Sequence, residues 1–314
     1  MNHVSDWKRG LALALTTAIF WGLLPIALTI VLTGTDAYTL TALRFLTAAV
    51  ILGLILARNR TLPSLTSLRG PVLVLILVAL GGLVGNFILF LVGLKLTSPT
   101  ITQVVIQLSP VLLLLGGVVV FGERLTPRRW AGFALLLAGM LIFFNRRLPE
   151  LVHAQGTLGF GVLVVVIGSV VWACYGLAQK QLLRTMGSQQ LLLLLYTGAA
   201  ILLLPFSALA DVGRLNLLQL GMLAFCCINT LIAYGALAEA MKQWDVSRVS
   251  AVITITPLFT MLSVWLFTSA WPEIIHPERL NALSIAGAVI VVMGSALTAL
   301  GGVARAAAAE SAQD

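Results

Sequence analysis

Charged side chains are scarce in this chain. Only 10% of its 314 residues are Asp, Glu, Lys or Arg, whereas a soluble domain carries roughly 25%. The three cysteines fall in apolar runs, where we expect them to be buried, and the three histidines are scattered, so neither a disulfide framework nor a metal site is predicted. Gly-x-Ser-x-Gly, His-Glu-x-x-His and Walker motifs are all missing. These absences argue against a hydrolase, a metalloenzyme and an ATP-driven pump, and no cofactor is predicted.

Long apolar runs dominate the chain, of which 60% is hydrophobic. A helix needs about 20 apolar residues to cross a bilayer, and because helices pair their own backbone groups, such runs predict transmembrane helices. The fifth run is short. The alternation typical of a β-barrel is missing, so the predicted fold is an all-α integral membrane protein with the bilayer as its partner. The ten runs are 10–32, 37–57, 72–94, 100–121, 129–144, 158–178, 190–209, 217–240, 246–268 and 282–301.

One pattern of residues occurs twice. The matched pairs are Lys95 and Lys242, Pro110 and Pro257, Glu123 and Glu278, Gly132 and Gly287, Gly139 and Gly294, and Trp21 and Trp172. The glycines of each repeat lie two turns apart on one helix face, which favours close helix packing. The chain therefore divides into two five-helix repeats, 10–144 and 157–301, followed by a cytoplasmic tail, 302–314. Because five is odd, the second repeat enters from the opposite side, so the repeats are inverted.

The basic residues predict the orientation of the chain. With the N-terminus in the cytoplasm, most of the 19 Lys and Arg residues fall on the cytoplasmic side. The opposite side holds only Lys95, Arg146, Arg147, Arg214 and Arg279. Cytoplasmic loops of membrane proteins are enriched in Lys and Arg, so both termini are predicted to be cytoplasmic. The net charge of +8 reflects this orientation, and no nucleic-acid partner is predicted.

Two polar stripes interrupt the otherwise apolar helices four and nine. They consist of Gln103, Gln107 and Pro110 in one repeat, and of Ser250, Thr254 and Pro257 at the equivalent positions of the other. The spacing places each set on one helix face. Each proline frees the carbonyl four residues earlier, that of Ile106 or Ile253. Hydrogen bonding between helices and a wet surface facing a solute both explain such stripes, and their presence in both repeats favours the second.

Four further features each have two interpretations. Pro25, in the first helix, marks either a packing kink or a break that lines a cavity. Arg44, the one basic residue well inside a helix, either reaches the membrane interface or has a function. The Asn86 amide serves either a neighbouring helix or a solute. Glu239 forms either a surface pair with Lys242 or a proton-coupling carboxylate.

These residues resemble a known family. The run Gly122-Glu123-Arg124-Leu125-Thr126, with Pro110 before it and Gly132 and Gly139 after it, is similar to the end of an EamA domain, the repeat of the drug/metabolite transporter superfamily. Gly93-Leu94-Lys95 and Arg44-Phe45 fit the same pattern. The resemblance covers about residues 10–301 and weakens in the second half, where His276-Pro277-Glu278 replaces Gly-Glu.

The resemblance implies ten helices around a central cavity formed by helices one, three, four, six, eight and nine. In that cavity we expect aromatic walls and hydrogen-bonding side chains, and its lack of fixed charge suits a neutral or zwitterionic small-molecule substrate. The candidate walls are Trp21, Trp172, Tyr175 and Tyr234. The candidate hydrogen-bonding residues are Asn86, Gln103, Gln107, Ser250 and Thr254.

The function expected from this resemblance is secondary transport across the inner membrane by alternating access. Family members export amino acids and related metabolites, so export of amino acids, aromatic or other neutral ones among them, is the first expectation. Transport of sugars, nucleotide sugars or other small solutes is the alternative. A membrane-embedded enzyme or assembly factor is an alternative of another class, against which the missing catalytic motifs argue. A monomer and a homodimer are both compatible with the sequence.

The orientation is testable by cysteine labelling in a variant without the native cysteines. We expect Asp36→Cys to react with a membrane-impermeant maleimide in intact cells, and Arg60→Cys to react only after the membrane is opened, because the two positions flank the second helix. Reversed accessibility would contradict both the topology and the placement of the termini.

Overall fold

The computed structural model describes residues 7–63, 69–122, 126–149, 156–243, 246–274, 278 and 280–300, so the predicted tail, 302–314, lies outside the described residues. The described residues form α-helices and one 3-10 turn, Leu204–Phe206, and contain no strand. The helices are α1 (Trp7–Val31), α2 (Ala37–Arg58), α3 (Pro71–Leu96), α4 (Pro99–Val105), α5 (Leu108–Phe121), α6 (Pro127–Phe143), α7 (Thr157–Leu182), α8 (Ser188–Leu203), α9 (Leu209–Val212), α10 (Leu217–Gln243), α11 (Val246–Ile253), α12 (Thr256–Ala270) and α13 (Ala282–Leu300).

The helices account for the ten predicted spans. Within the described ranges, nine helical segments are long and apolar enough to cross a membrane, with α4–α5 and α11–α12 each counted as one segment. The tenth span is α6, which has 17 residues. A helix of that length measures about 26 Å, slightly less than the ~30 Å hydrocarbon core. The predicted all-α membrane fold is confirmed.

Equivalent helices of the two halves pack against each other. α2 packs against α8 and α6 packs against α13, so in both pairs a helix contacts its own counterpart. The other large contacts occur in equivalent pairs. α3 packs against α7, and its counterpart α10 packs against α1, the counterpart of α7. In the same way, α5 packs against α7, and its counterpart α12 packs against α1. A pseudo-two-fold axis in the membrane plane produces this pattern, as the predicted inverted repeat requires.

Four glycines bring α6 and α13 into backbone contact. Gly132 lies against Gly294, and Gly139 lies against Gly287. A Cβ atom on Gly294 would lie 2.8 Å from the carbonyl oxygen of Gly132, and one on Gly287 would lie 2.8 Å from that of Gly139. Real Cβ contacts are not this short, so the two helices are packed as closely as glycine permits.

Asp36 begins α2 as its N-cap. Its carboxylate accepts hydrogen bonds from the backbone N–H groups of Tyr38, at 2.7 Å, and Thr39, at 2.9 Å, and from the Thr39 hydroxyl. Partial burial raises the pKa of Asp36, but these hydrogen bonds outweigh it, so the pKa lies below its ordinary value. The ionised cap therefore stabilises the fold above the ordinary carboxyl pKa, and this stability is lost as the pH falls through the lowered value.

The structure excludes the break interpretation of Pro25 and corrects the expectation for one cysteine. Pro25 does not break the first helix, because α1 continues without interruption on both sides of it. Pro25 therefore lies within a continuous helix and does not mark a break that lines a cavity. Cys226 and Cys227 are buried as expected, but Cys174 is exposed.

The glycine contact predicts where a bulky side chain prevents folding. We expect Gly132→Leu and Gly287→Leu to lower the yield of folded protein in the membrane, because each leucine would push α6 and α13 apart. Gly221→Leu is the matched control, since a Cβ on this α10 glycine meets no atom within 4 Å. Yield is measured by fluorescence-detected size-exclusion chromatography. A wild-type yield of both variants would show that the glycines do not determine packing.

Candidate functional site

Two helix breaks occur at equivalent positions near the centre of the molecule. Ile106 and Gln107 separate α4 from α5, and Thr254 and Ile255 separate α11 from α12. A proline lies in the first turn of the helix that follows each break, Pro110 in α5 and Pro257 in α12. Proline lacks an N–H group and its ring clashes with the preceding turn, which accounts for the position of both breaks.

The two breaks are joined by one hydrogen bond. The Gln107 side-chain amide donates from Nε2 to the backbone carbonyl oxygen of Thr254 at 3.0 Å. Leu258 donates its N–H to Ile255 rather than to Thr254, so the Thr254 carbonyl has lost its normal helical partner. Gln107 is 7% exposed and Thr254 is 4% exposed. A side chain of the first half thus satisfies a carbonyl that the break frees in the second half.

The carbonyls that the prolines were expected to free have local donors. The Ile106 carbonyl accepts a bond from the backbone N–H of Ser109 at 2.9 Å. The Ile253 carbonyl accepts one from the Thr256 hydroxyl at 2.5 Å. The carbonyl that is satisfied across the two halves belongs instead to Thr254.

The predicted aromatic residues lie in two pairs around these breaks. Trp21 of α1 and Tyr234 of α10 meet edge to face, with ring centroids 5.4 Å apart. Trp172 and Tyr175 of α7 meet in the same way at 6.3 Å. Trp21 and Trp172 are equivalent in the two repeats, and both are partly buried. The Trp21–Tyr234 pair therefore joins the two halves, and the Trp172–Tyr175 pair lies within the second half.

The Asn86 amide serves a neighbouring helix. Its Nδ2 donates to the Gly168 carbonyl oxygen on α7 at 3.0 Å. At the equivalent place in the other half, the Thr17 hydroxyl of α1 donates to the Ala233 carbonyl oxygen of α10 at 3.1 Å. Both bonds hold a helix of one half against a helix of the other, so the structure supports the first of the two interpretations of Asn86.

The polar stripes extend from the breaks into the half-helices α4 and α11. Gln103 on α4 is 9% exposed, and Ser250 on α11 is partly buried. The two residues are equivalent in the repeats. Because the repeats are inverted, Gln103 and Ser250 lie on opposite sides of the central breaks.

Arg44 does not reach the membrane interface. Its side chain is 3% exposed, its Nε donates to the Thr230 hydroxyl on α10 at 3.2 Å, and its guanidinium lies 4.9 Å from the centroid of the Phe87 ring. The interface interpretation of Arg44 is therefore wrong, and the residue belongs to the interior of the bundle.

Two buried polar groups near these helices were not singled out in the sequence. The Tyr196 hydroxyl of α8 and Oδ1 of Asn229 on α10 have no hydrogen-bond partner within the described residues. Asn229 uses its Nδ2 to donate to the Phe20 carbonyl oxygen at 2.6 Å. Tyr196 is equivalent to Phe45 of the first repeat. The hydroxyl that distinguishes the two residues is the signal in the sequence that could have identified Tyr196.

Acidic residues lie at the two ends of the bundle rather than at its centre. Arg9 of α1 and Glu239 of α10 form an ion pair at 3.7 Å. The Lys242 side chain, which was expected to pair with Glu239, lies outside the described side chains. At the other end, the Glu278 carboxylate accepts a bond from the Thr100 backbone N–H at 3.1 Å and so caps α4. Both contacts join the first half to the second.

Inverted halves, discontinuous helices and polar groups at the central breaks together define a membrane transporter built from inverted repeats. The sequence places it in a family. The chain belongs to the EamA-like transporter family, whose model matches residues 8–145 and 159–300.

Relatives of this chain are transporters by name. It is 44% identical over 293 residues to the "Uncharacterized inner membrane transporter YhbE" of Escherichia coli K12, covering 93% of this chain and 91% of the relative. It is 24% identical over 304 residues to the "Probable amino-acid metabolite efflux pump" of Salmonella typhimurium, covering 92% and 94%. A solved crystal structure superposes with a TM-score of 0.61 at 22% identity, covering 93% of this chain and 97% of the other. At that identity the likeness is one of fold alone.

The bond between the breaks predicts unequal effects of two substitutions. We expect Gln107→Leu to lower the apparent affinity or rate of solute transport about two- to twelvefold, because it removes one hydrogen bond and leaves the Thr254 carbonyl unsatisfied. Thr254→Val is the matched control, since it keeps that carbonyl and removes only a hydroxyl that donates to Ala251. The measurement is the initial rate in proteoliposomes against solute concentration. Equal effects of the two variants would contradict this role of Gln107.

Proposed function

We propose that this protein exports amino acids or related small metabolites across the inner membrane, with both termini in the cytoplasm. The paired helix breaks at the interface of two inverted halves are the observation that supports this most strongly, because such breaks place polar groups where a solute crosses a membrane. The "Probable amino-acid metabolite efflux pump" relative supports this class of solute over sugars.

The solute-binding site in this proposal lies between the two aromatic pairs, next to the Gln107–Thr254 bond. Trp21, Tyr234 and Trp172 supply apolar walls. Gln103, Gln107 and Ser250 supply donors and acceptors, and Tyr175 completes the wall on α7. The site carries one fixed charge, Arg44, so a neutral or zwitterionic solute fits it better than a polyanion such as a nucleotide sugar.

Alternating access then follows from the contacts between the halves. The Arg9–Glu239 pair lies at one end of the bundle and the Glu278–Thr100 bond at the other, while Gln107 holds the centre. Opening to either side requires one end contact to break while the other persists. Since α4 and α11 are short segments that each end at a break, each can tilt without disrupting the longer helices against which it packs.

Efflux from proteoliposomes tests the proposed function. Vesicles containing the purified chain are loaded separately with phenylalanine, leucine, threonine or glucose, and we expect at least one amino acid to leave faster than from vesicles without protein. Trp172→Ala should slow this efflux by removing a wall, whereas Trp130→Ala should not, because Trp130 is 52% exposed on the outer face of α6.

The panel also separates the alternatives. Efflux of glucose alone would replace amino acid export by sugar transport. Efflux of no solute, with the protein folded and correctly inserted, would contradict a transport function and favour the enzyme or assembly-factor class.

A further inference from the structure

The Arg44 side chain is a buried charge without a counter-charge. In the described part of the chain it forms no ion pair, and its one hydrogen bond uses Nε, which donates to Thr230. The Phe87 ring below the guanidinium contributes a cation–π contact, which offsets only part of the cost of burying the charge. The two terminal nitrogens of the guanidinium therefore remain available to an anionic group.

Tyr196 brings a second unused donor into the same region. Its side chain is 4% exposed and its hydroxyl has no partner among the described residues. Its ring stacks on that of Phe45, with centroids 5.6 Å apart and an angle of 25° between the rings, and this stack fixes its direction. Phe45 follows Arg44 in the sequence, and its ring centroid lies 4.6 Å from that of Phe87, the ring beneath the Arg44 guanidinium, so both donors belong to one aromatic cluster.

This region adjoins the candidate solute site. Tyr196, Phe45 and Phe87 belong to one buried cluster with Tyr175, and Trp172 packs against that cluster. The unpaired donors are therefore continuous with the aromatic wall on α7. The charge is also asymmetric, since Leu195 occupies the position equivalent to Arg44 in the second repeat.

We propose that Arg44 and Tyr196 bind the carboxylate of the transported solute, an inference that rests on the transport function proposed above. A guanidinium binds a carboxylate through two parallel N–H donors, and here Thr230 and Phe87 hold its plane in place while leaving the terminal nitrogens free. The Tyr196 hydroxyl donates to the same carboxylate. The solute supplies the negative charge that no described residue places beside Arg44.

A carboxylate site of this kind determines which solutes the protein accepts. A solute without a carboxylate would leave a buried charge and a buried hydroxyl unpaired, and sites of this kind strongly reject analogues that lack the bonded group. Amines formed by decarboxylating an amino acid should therefore be excluded, although they are smaller and fit the same apolar walls.

Matched pairs of probes test this preference. Binding to the purified full-length chain is measured as the rise in its thermal unfolding midpoint, because a ligand bound to the native state stabilises it. We expect phenylalanine or leucine to raise the midpoint, 3-phenylpropionate or 4-methylpentanoate to retain part of the effect, and phenethylamine and isopentylamine to have none. The same amines should fail to leave loaded proteoliposomes.

Substitutions locate the effect at the two donors. Tyr196→Phe removes only an unpartnered hydroxyl, so it should fold normally and weaken amino acid binding roughly ten- to hundredfold, the typical effect of losing a hydrogen bond to a charged group. Arg44→Lys keeps the charge but loses the two-pronged geometry, and it should weaken binding at least as much. Tyr38→Phe and Arg58→Lys are the matched controls, because Tyr38 is exposed and Arg58 ends the same helix at its exposed C-terminus.

Each contrary result overturns the carboxylate site without deciding the transport function. Equal binding or efflux of an amino acid and its amine would do so, as would wild-type affinity in folded Tyr196→Phe and Arg44→Lys. Efflux of glucose alone would also overturn it while transport stands. Stabilisation by sodium chloride equal to that by 3-phenylpropionate would show that Arg44 holds a small structural anion instead.

Discussion

Polar groups inside the bilayer must find their partners within the protein or its cargo, because hydrocarbon offers no hydrogen bonds. Continuous helices meet this constraint by themselves, and the α4–α5 and α11–α12 breaks do not. The Thr254 carbonyl is satisfied only because Gln107 reaches it from the other half. The Asn86–Gly168 and Thr17–Ala233 bonds follow the same rule. In all three bonds a side chain of the first half satisfies a carbonyl of the second half, and the centre of the molecule is where the halves depend on each other.

Most of the architecture could be predicted from the sequence, because its determinants are local or repeated. Apolar length sets the spans, and repeated glycines identify the close contact of α6 with α13. Pro110 and Pro257 mark the breaks because proline removes a backbone donor wherever it stands within a helix. Pro25 carries the same chemistry without producing a break, since α1 remains continuous around it. Proline thus marks a position where a helix lacks one backbone hydrogen bond, and the packing around that position determines whether the helix is interrupted.

The partners of individual side chains could not be predicted in the same way. Spacing placed Gln107 and Thr254 at equivalent positions, but it could not show that one offers its side chain and the other its backbone. Arg44 has the same sequence context whether it points to the interface or to the interior. Its direction depends on Thr230 and Phe87, which are distant in sequence. The proximity of Tyr196 to Phe45 and Arg44 becomes evident only in the packing of α2 against α8.

The central claim is that the two halves open alternately around the paired breaks. Gln103 and Ser250 lie on equivalent half-helices on opposite sides of those breaks. The direct measurement therefore uses Gln103→Cys and Ser250→Cys in a background without native cysteines. It records the rate at which each cysteine reacts with an impermeant maleimide added from each side of the membrane. The account predicts that a transported amino acid changes the two rates in opposite directions. Rates that change together, or that do not respond to a transported solute, would contradict it.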